Sequence, residues 1–509
     1  MQQAIVVLVA LSLAFSALPG QQTAMKWWKG NLHTHTLWSD GDDYPEMVAL
    51  WYKEHGYHFL ALSDHNVLSE GERWFEATSG RGAGFTLAKY LRRFGDDWVE
   101  IRRRNGKRYV RLKTLDEVRS LLEEPGRFLM IQSEEITDAY EGKPIHVNAT
   151  NIRELIRPQG GNSVLDTMQR NVDAVLQQRA RTGTPMFPHI NHPNFGWAVT
   201  AEDLMQLRGE KFFEVYNGHP AVHNYGDPTH SGTERMWDIV LTARLAELGL
   251  PVMYGVAVDD AHNYHEFHPQ ASNPGRAWVM VRAPELTAEA IVSAMERGDF
   301  YASTGVTLRD VRIQGRYLVV EIEPEEGVEY TTTFYGTRLG YDATSTPVAD
   351  AQGRPLPVTR VYSEDVGAVL SVVKGTTAIY ELDGDEIYVR AKVVSSKPKT
   401  NPYHEGETEM AWTQPYVPRS GGDSHLAGLQ PQMASSTKRA AKRLPLLGAG
   451  RHDAQTWNCD GAEVGAPETF RRRHSDLIGF TILRPTFWKT EDLRQATARN
   501  PVKAGLSWH

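Results

Sequence analysis

From Trp27 to about Gly305, short apolar runs alternate with stretches of helical periodicity. Segments 59–63, 128–132, 185–190, 212–216, 252–258 and 277–281 are brief, apolar and bounded by polar, Gly or Pro residues. That is the pattern of strands buried on both faces. Helix-start signals stand between them. Ser163-x-x-Asp166 introduces Val164, Leu165, Met168, Val172 and Val175, and Thr200-x-x-Asp203 introduces a second helix. Strands alternating with helices predict a parallel α/β layout, here a barrel.

Segment 80–125 interrupts this rhythm with WVEIRRRNGKRYVRLK, a hairpin turning at Asn105-Gly106. Its run of Arg and Lys reads as a solvated surface, with an anion-guiding flap as the alternative. Beyond Gly305 the pattern becomes all-β (YLVVEIEP, YTTTFYGT, AVLSVVKG, TAIYEL, EIYVRAKVV), a small sandwich-like domain over 306–418. Residues 419–509 are Ser/Gly/Arg-rich with little periodicity, and a low-order tail is expected. The opening MQQAIVVLVALSLAFSALPGQQ has an apolar run too short to span a bilayer, followed by small and helix-breaking residues. It reads as a signal peptide over 1–22, so the chain is expected to be exported, with an uncleaved membrane anchor as the alternative. No later stretch is apolar and long enough to span a membrane.

Composition narrows the function classes. With 509 residues, 41% hydrophobic and 23% charged, the chain can bury a sizeable core. A formal net charge of −8 argues against a general nucleic-acid binder. A single cysteine, Cys459, rules out a disulfide framework or a thiolate zinc site. The expected partner is a small-molecule substrate. Oligomeric state is not legible.

The chemistry lies at the strand ends. In KGNLHTHTLWSDG, His33 and His35 stand at i and i+2, so an extended strand turns both imidazoles to one side, with Asp40 in the following loop. FLALSDHN ends a strand at Asp64-His65, with Asp64 a carboxylate suited to orienting a ligand imidazole. FLMIQSEEIT ends in Glu134-Glu135, two carboxylates that repel unless a cation relieves them. His146 follows in KPIHVNAT, and His189 and His192 flank the strand end in PMFPHINHPNFGW. VMYGVAVDDAHNY repeats the i, i+2 relation at Asp260 and His262, while Asp259 points the other way and supports the loop. EVYNGHP adds Glu214, Asn217 and His219 as candidate substrate contacts, with Glu214 also readable as structural. Among the 19 histidines, His55, His58, His265 and His268 fall outside this pattern. Charged groups at so many strand ends each need a partner if buried, and metal ions supply one for all. His, Asp and Glu without thiolates suit Zn, Mn or Fe.

These motifs, in this order over about 29–305, resemble the PHP (polymerase and histidinol phosphatase) superfamily. INHPNFGW, EVYNG, DFYASTG and a β region ending AWTQPYV resemble its CehA/McbA branch, named for carbaryl hydrolysis. The resemblance implies a metallohydrolase over 25–305 with a distorted (β/α)7 TIM-like barrel and two or three divalent ions. It would place one ion on His33, His35, Glu135 and Asp260. A second would sit on a bridging Glu135 with His146 and His192, and a third on Asp40, His65 and His262. The activity it implies is phosphoester hydrolysis by metal-activated hydroxide. The alternatives are a carbamate, carboxylic ester or amide hydrolase, and an exported non-catalytic binding protein with a metal-stabilised barrel.

Overall fold

The structure, a computed structural model, describes residues 24–418. The expected signal peptide over 1–22 and tail over 419–509 lie outside the described residues. The first half contains, in order, β1 (Lys26–Asn31), α1 (Pro45–Glu54), β2 (Phe59–Leu62), β3 (Arg73–Glu76), α2 (Phe85–Phe94), β4 (Ile101–Arg104), β5 (Lys107–Leu112), α3 (Leu115–Leu122), β6 (Leu129–Tyr140), β7 (Lys143–Thr150), α4 (Val164–Thr182), β8 (Phe187–Ile190), α5 (Ala201–Leu204) and β9 (Phe212–Asn217). Then follow α6 (Thr233–Thr242), a π-helical turn (Ala243–Glu247), β10 (Tyr254–Val258), β11 (Trp278–Ala283), α7 (Ala288–Glu296) and β12 (Phe300–Ser303). The β-rich remainder is β13 (Leu308–Gln314), β14 (Tyr317–Ile322), β15 (Tyr330–Arg338), β16 (Ser345–Thr346), β17 (Val361–Tyr362), β18 (Ala368–Lys374), β19 (Thr377–Glu381), β20 (Glu386–Pro398) and β21 (Thr408–Thr413).

Every residue of β2, β8 and β9 is buried, as expected of strands covered on both faces. Helix α4 starts where its cap signal lies: the Ser163 hydroxyl accepts the Asp166 N–H. It ends on Gly183 in the left-handed conformation and buries Val164, Met168, Val172 and Val175. The Thr200/Asp203 capping box is present, but its helix is a single turn. At the hairpin between β4 and β5, Asn105 and Gly106 both have positive φ (51° and 74°), the requirement of a two-residue primed turn. Two charges of the hairpin are engaged by β3: Arg102 stacks on Trp74, and Lys107 pairs with Glu76.

The central sheet is mixed, with thirteen strands in the order β10-β9-β8-β7-β6-β2-β1-β11-β12-β21-β20-β15-β18. β1, β2 and β6 run parallel, as do β8, β9 and β10, and β7 joins the two sets by antiparallel pairing. The barrel expected from the sequence is not closed by a continuous ladder. The free edge of β1 is taken by β11, antiparallel through Lys26↔Ala283 to Gly30↔Val279, and the sheet runs on into the β-rich region. Only beyond the end of β1 does the chain meet the segment after β10, at one parallel bridge, Thr34↔Ala261. There His35 N donates to Ala261 O (3.0 Å) and Asp260 N donates to His33 O (3.1 Å).

In the β-rich region the separate sheet β13-β14-β19 stacks over the continuation of the large sheet. The two layers enclose Leu318, Val320, Phe334, Ala378, Val389, Ala391 and Ala411. Among the described residues, no helix is long and apolar enough to cross a membrane.

Candidate metal centre

The strand extensions joined at Thr34 and Ala261 bring His33, His35 and Asp260 to one point, where β6 delivers Glu135. Alternation along β6 separates the adjacent carboxylates. Glu135 turns into the cluster, while Glu134 turns away and accepts Ile156 N (2.6 Å). Burial raises the Glu134 carboxyl to about 8, against that hydrogen bond. Asp259 also turns away and holds the following loop, accepting Gly275 N, Arg276 N and Ala277 N at 2.7–2.9 Å.

Four ligand atoms converge. His33 Nε2 lies 3.3 Å from both Glu135 Oε2 and Asp260 Oδ1. His35 Nε2 lies 3.3 Å and 3.2 Å from the same two oxygens. His33 Nε2, His35 Nε2 and Glu135 Oε2 are buried without a hydrogen-bond partner. Atoms about 2.0–2.1 Å from a tetrahedral cation sit roughly 3.3 Å apart. The spacing, the missing partners and the nitrogen–oxygen donor set therefore fit a divalent ion. The electrostatics agree. Burial opposes protonation of His33, yet the surrounding Asp260, Glu135 and Glu214 outweigh it and push the imidazole well above its ordinary value. These carboxylates call for positive charge.

The second set shares Glu135. Its Oε1 is 2.8 Å from His146 Nδ1 and 3.4 Å from His192 Nε2, and it accepts Asn191 Nδ2 at 2.8 Å. The third lies at the mouth, where the Asp40 side chain is 50% exposed. Asp40 Oδ1 is 3.4 Å from His262 Nε2, and Oδ2 is 3.5 Å from His65 Nε2. His35 joins the sets, with its Nδ1 3.6 Å from Asp40 Oδ1 and its ring stacked on His262 at 4.0 Å. His65 Nδ1 reaches Glu135 Oε2 at 2.9 Å. Asp260 has φ of +51°, a strained conformation for a non-glycine residue and one found at functional sites.

The residues around the cluster hold it in place. Asp64 touches no imidazole. It accepts Thr36 N (2.8 Å), Thr36 Oγ1 (2.9 Å) and Ser39 Oγ (2.6 Å), and so braces the loop that carries His35 and Asp40. Glu214, flagged as a possible substrate contact, is fully buried behind the cluster. It accepts His33 Nδ1 (2.7 Å), His189 Nε2 (3.2 Å), His192 N (2.7 Å) and Asn217 Nδ2 (2.8 Å). These partners, His33 first, hold its carboxyl at about 2 against burial. Asn217 is likewise inside, with Nδ2 also 3.1 Å from Asp260 Oδ2. Of the three EVYNGHP residues, His219 alone is half-buried and at the mouth. His189 lies behind His33, and Asn191 was not singled out by sequence reasoning. Its one signal is its place between β8 and His192.

No family model matches the chain, and no curated protein matches it. Solved structures do. A two-domain protein from Bacteroides vulgatus containing a predicted PHP-like metal-dependent phosphoesterase is 15% identical, with a TM-score of 0.32 over 77% of this chain and 95% of that one. A proposed metal-dependent phosphoesterase from Bifidobacterium adolescentis is 14% identical, with a TM-score of 0.24 over 46% of this chain and 87% of that one. An amidohydrolase from Chromobacterium violaceum, with bound sulfate and no metal, is 12% identical, with a TM-score of 0.24 over 48% and 93%. These likenesses are partial.

Proposed function

We propose that this chain is a metal-dependent hydrolase of small phosphoesters. The observation that carries the reading is the set of four facing atoms on His33, His35, Glu135 and Asp260, three of them buried and unpartnered. Divalent cations held there and in the two adjoining sets would supply an activated water at neutral pH and neutralise charge on phosphoryl oxygens. The protein's own part is positional. Glu214 accepts a hydrogen bond from His33 Nδ1–H, so Nε2 is presented as a lone pair. Asn191 and Asn217 restrain one oxygen each of Glu135 and Asp260. Asp40, at the open edge, leaves room for substrate.

Adjoining cation sets suit an in-line displacement, where attacking and leaving oxygens both need neutralising. That favours phosphoesters. The second reading, a carbamate, carboxylic ester or amide hydrolase of the CehA/McbA branch, is favoured by Phe195, a half-buried ring 5.1 Å from the His192 ring. Export through residues 1–22 belongs to the same proposal.

The test is turnover of an aryl phosphodiester, an aryl phosphomonoester and an aryl carboxylic ester by metal-loaded protein, with and without chelator. Chelator-sensitive phosphate turnover is expected. Turnover of the ester alone supports the second reading. A fully metallated protein that turns over none of them is a binding protein.

A further inference from the structure

We propose that His219, which belongs to none of the cation sets, is a catalytic residue that donates its Nε2–H to a phosphoryl oxygen of the bound substrate; this rests on the phosphoesterase reading above. The tautomer follows from geometry. Ala221 N donates to His219 Nδ1 at 3.1 Å, so Nδ1 is an acceptor and the neutral ring carries its proton on Nε2. Nε2 makes no hydrogen bond to any described residue, and the side chain is half-buried, so this donor is open to a ligand.

Its position is built. β9 ends at Asn217, whose Oδ1 accepts His219 N (2.7 Å) while its Nδ2 binds Glu214 and Asp260. One amide therefore ties the histidine's backbone to Asp260 of the first cation set and to the Glu214 carboxylate behind it. Gly218 between them is pinned, with its N–H donating to Val258 O (2.9 Å) and its carbonyl accepting Arg276 Nη1 (2.7 Å). A Cβ there would lie 2.8 Å from Arg276 Cβ and 2.9 Å from Asp259 O, so only glycine allows this approach.

The ring stands between the two ends of the cluster. It is 5.5 Å from the His262 ring and 6.1 Å from the Phe195 ring. Phe195 in turn packs on His192 and His146, at 5.1 Å and 6.3 Å. Its loop is fixed by Trp197, which has φ of +53° and is clamped between the His223 and His230 rings at 4.5 Å and 4.0 Å. An apolar wall beside a fixed N–H donor excludes water and strengthens its hydrogen bond to an anionic phosphoryl oxygen.

The test compares the metal-loaded full chain with His219→Ala and His219→Gln, reading bound metal, aryl phosphodiester turnover and the affinity for inorganic phosphate. Gln replaces the Nε2–H with an amide donor. His219→Ala should keep its metal, lose about 100- to 1000-fold in kcat/KM and bind phosphate more weakly. His219→Gln should recover at least about tenfold of that loss. An Ala variant with undiminished kcat/KM and phosphate affinity overturns the proposal, and so does one that loses its metal. If wild type binds phosphate but hydrolyses no phosphoester, the phosphoesterase reading fails, while weaker phosphate binding by His219→Ala still supports the donor. Wild type that neither binds phosphate nor hydrolyses a phosphoester overturns both.

Discussion

At the scale of single residues, neighbours of identical chemistry are given opposite roles by the two-residue period of a strand. Glu135 is wrapped by imidazoles and an amide, while Glu134 is buried and meets one backbone N–H. The Glu134 shift carries a pH signature. Its folded carboxyl titrates near 8 rather than at the ordinary 4.5, so the fold favours the protonated form. The stability this contributes is fully present below about 4.5 and is lost as pH rises through about 8. Glu134→Gln should flatten that loss, read as denaturation midpoint against pH, and leave bound metal unchanged. An unaltered pH profile would contradict the assignment. Much of the residue scale was legible, because the i, i+2 pairs His33/His35 and Asp260/His262 need only local geometry. The role of Glu214 was not. Its contact with His33 spans 181 positions, and no local pattern distinguishes a carboxylate facing substrate from one facing the back of an imidazole.

At the scale of elements, the strand ends do the positioning, and the loops between them are tight where a ligand must be aimed. The turn at Ser39-Asp40-Gly41 folds back on the first strand extension, with Ser39 N and Gly41 N both donating to Thr36 O (3.1 Å and 3.0 Å). A Cβ on Gly41 would sit 2.6 Å from His35 O and 2.7 Å from Thr36 N, backbone atoms that cannot swing aside. Gly41→Ala should therefore shift Asp40 and weaken the cation set at the mouth, leaving the inner sets intact. The expected readout is loss of up to about one metal equivalent per chain without loss of the fold. Full metal content with ordinary activity would show that Asp40 needs no such aim. The glycine in the motif is thus explained by close approach of two backbones, a cause visible only in three dimensions.

At the scale of the whole molecule, the alternation of strands and helices was legible, but the sheet's continuation was not. Pairing of β1 with β11 joins residues about 250 apart, and pairing of β12 with β21 makes the β-rich region a direct continuation of the sheet that carries the candidate metal centre. The two parts are further locked by a buried cluster. Arg390 on β20 donates Nε and Nη2 to the Asp238 carboxylate of α6 at 2.7 and 2.6 Å, and Tyr388 adds a third bond at 2.8 Å. Removing one partner strands a buried charge. Asp238→Ala should cost about 3–5 kcal/mol in chemical denaturation, whereas exposed pairs contribute far less. A loss below about 1 kcal/mol would mean that the contact is incidental.

All of this depends on cations gathering side chains from distant strands, and metal analysis of the purified full chain after loading and dialysis tests that most directly. Wild type and Glu134→Gln should retain about two to three equivalents of Zn, Mn or Fe, and Glu135→Ala, which loses the carboxylate shared by two sets, should retain at most about one, on the set at the mouth. A wild-type protein that holds no metal, or a Glu135→Ala variant that keeps the full complement, would contradict it.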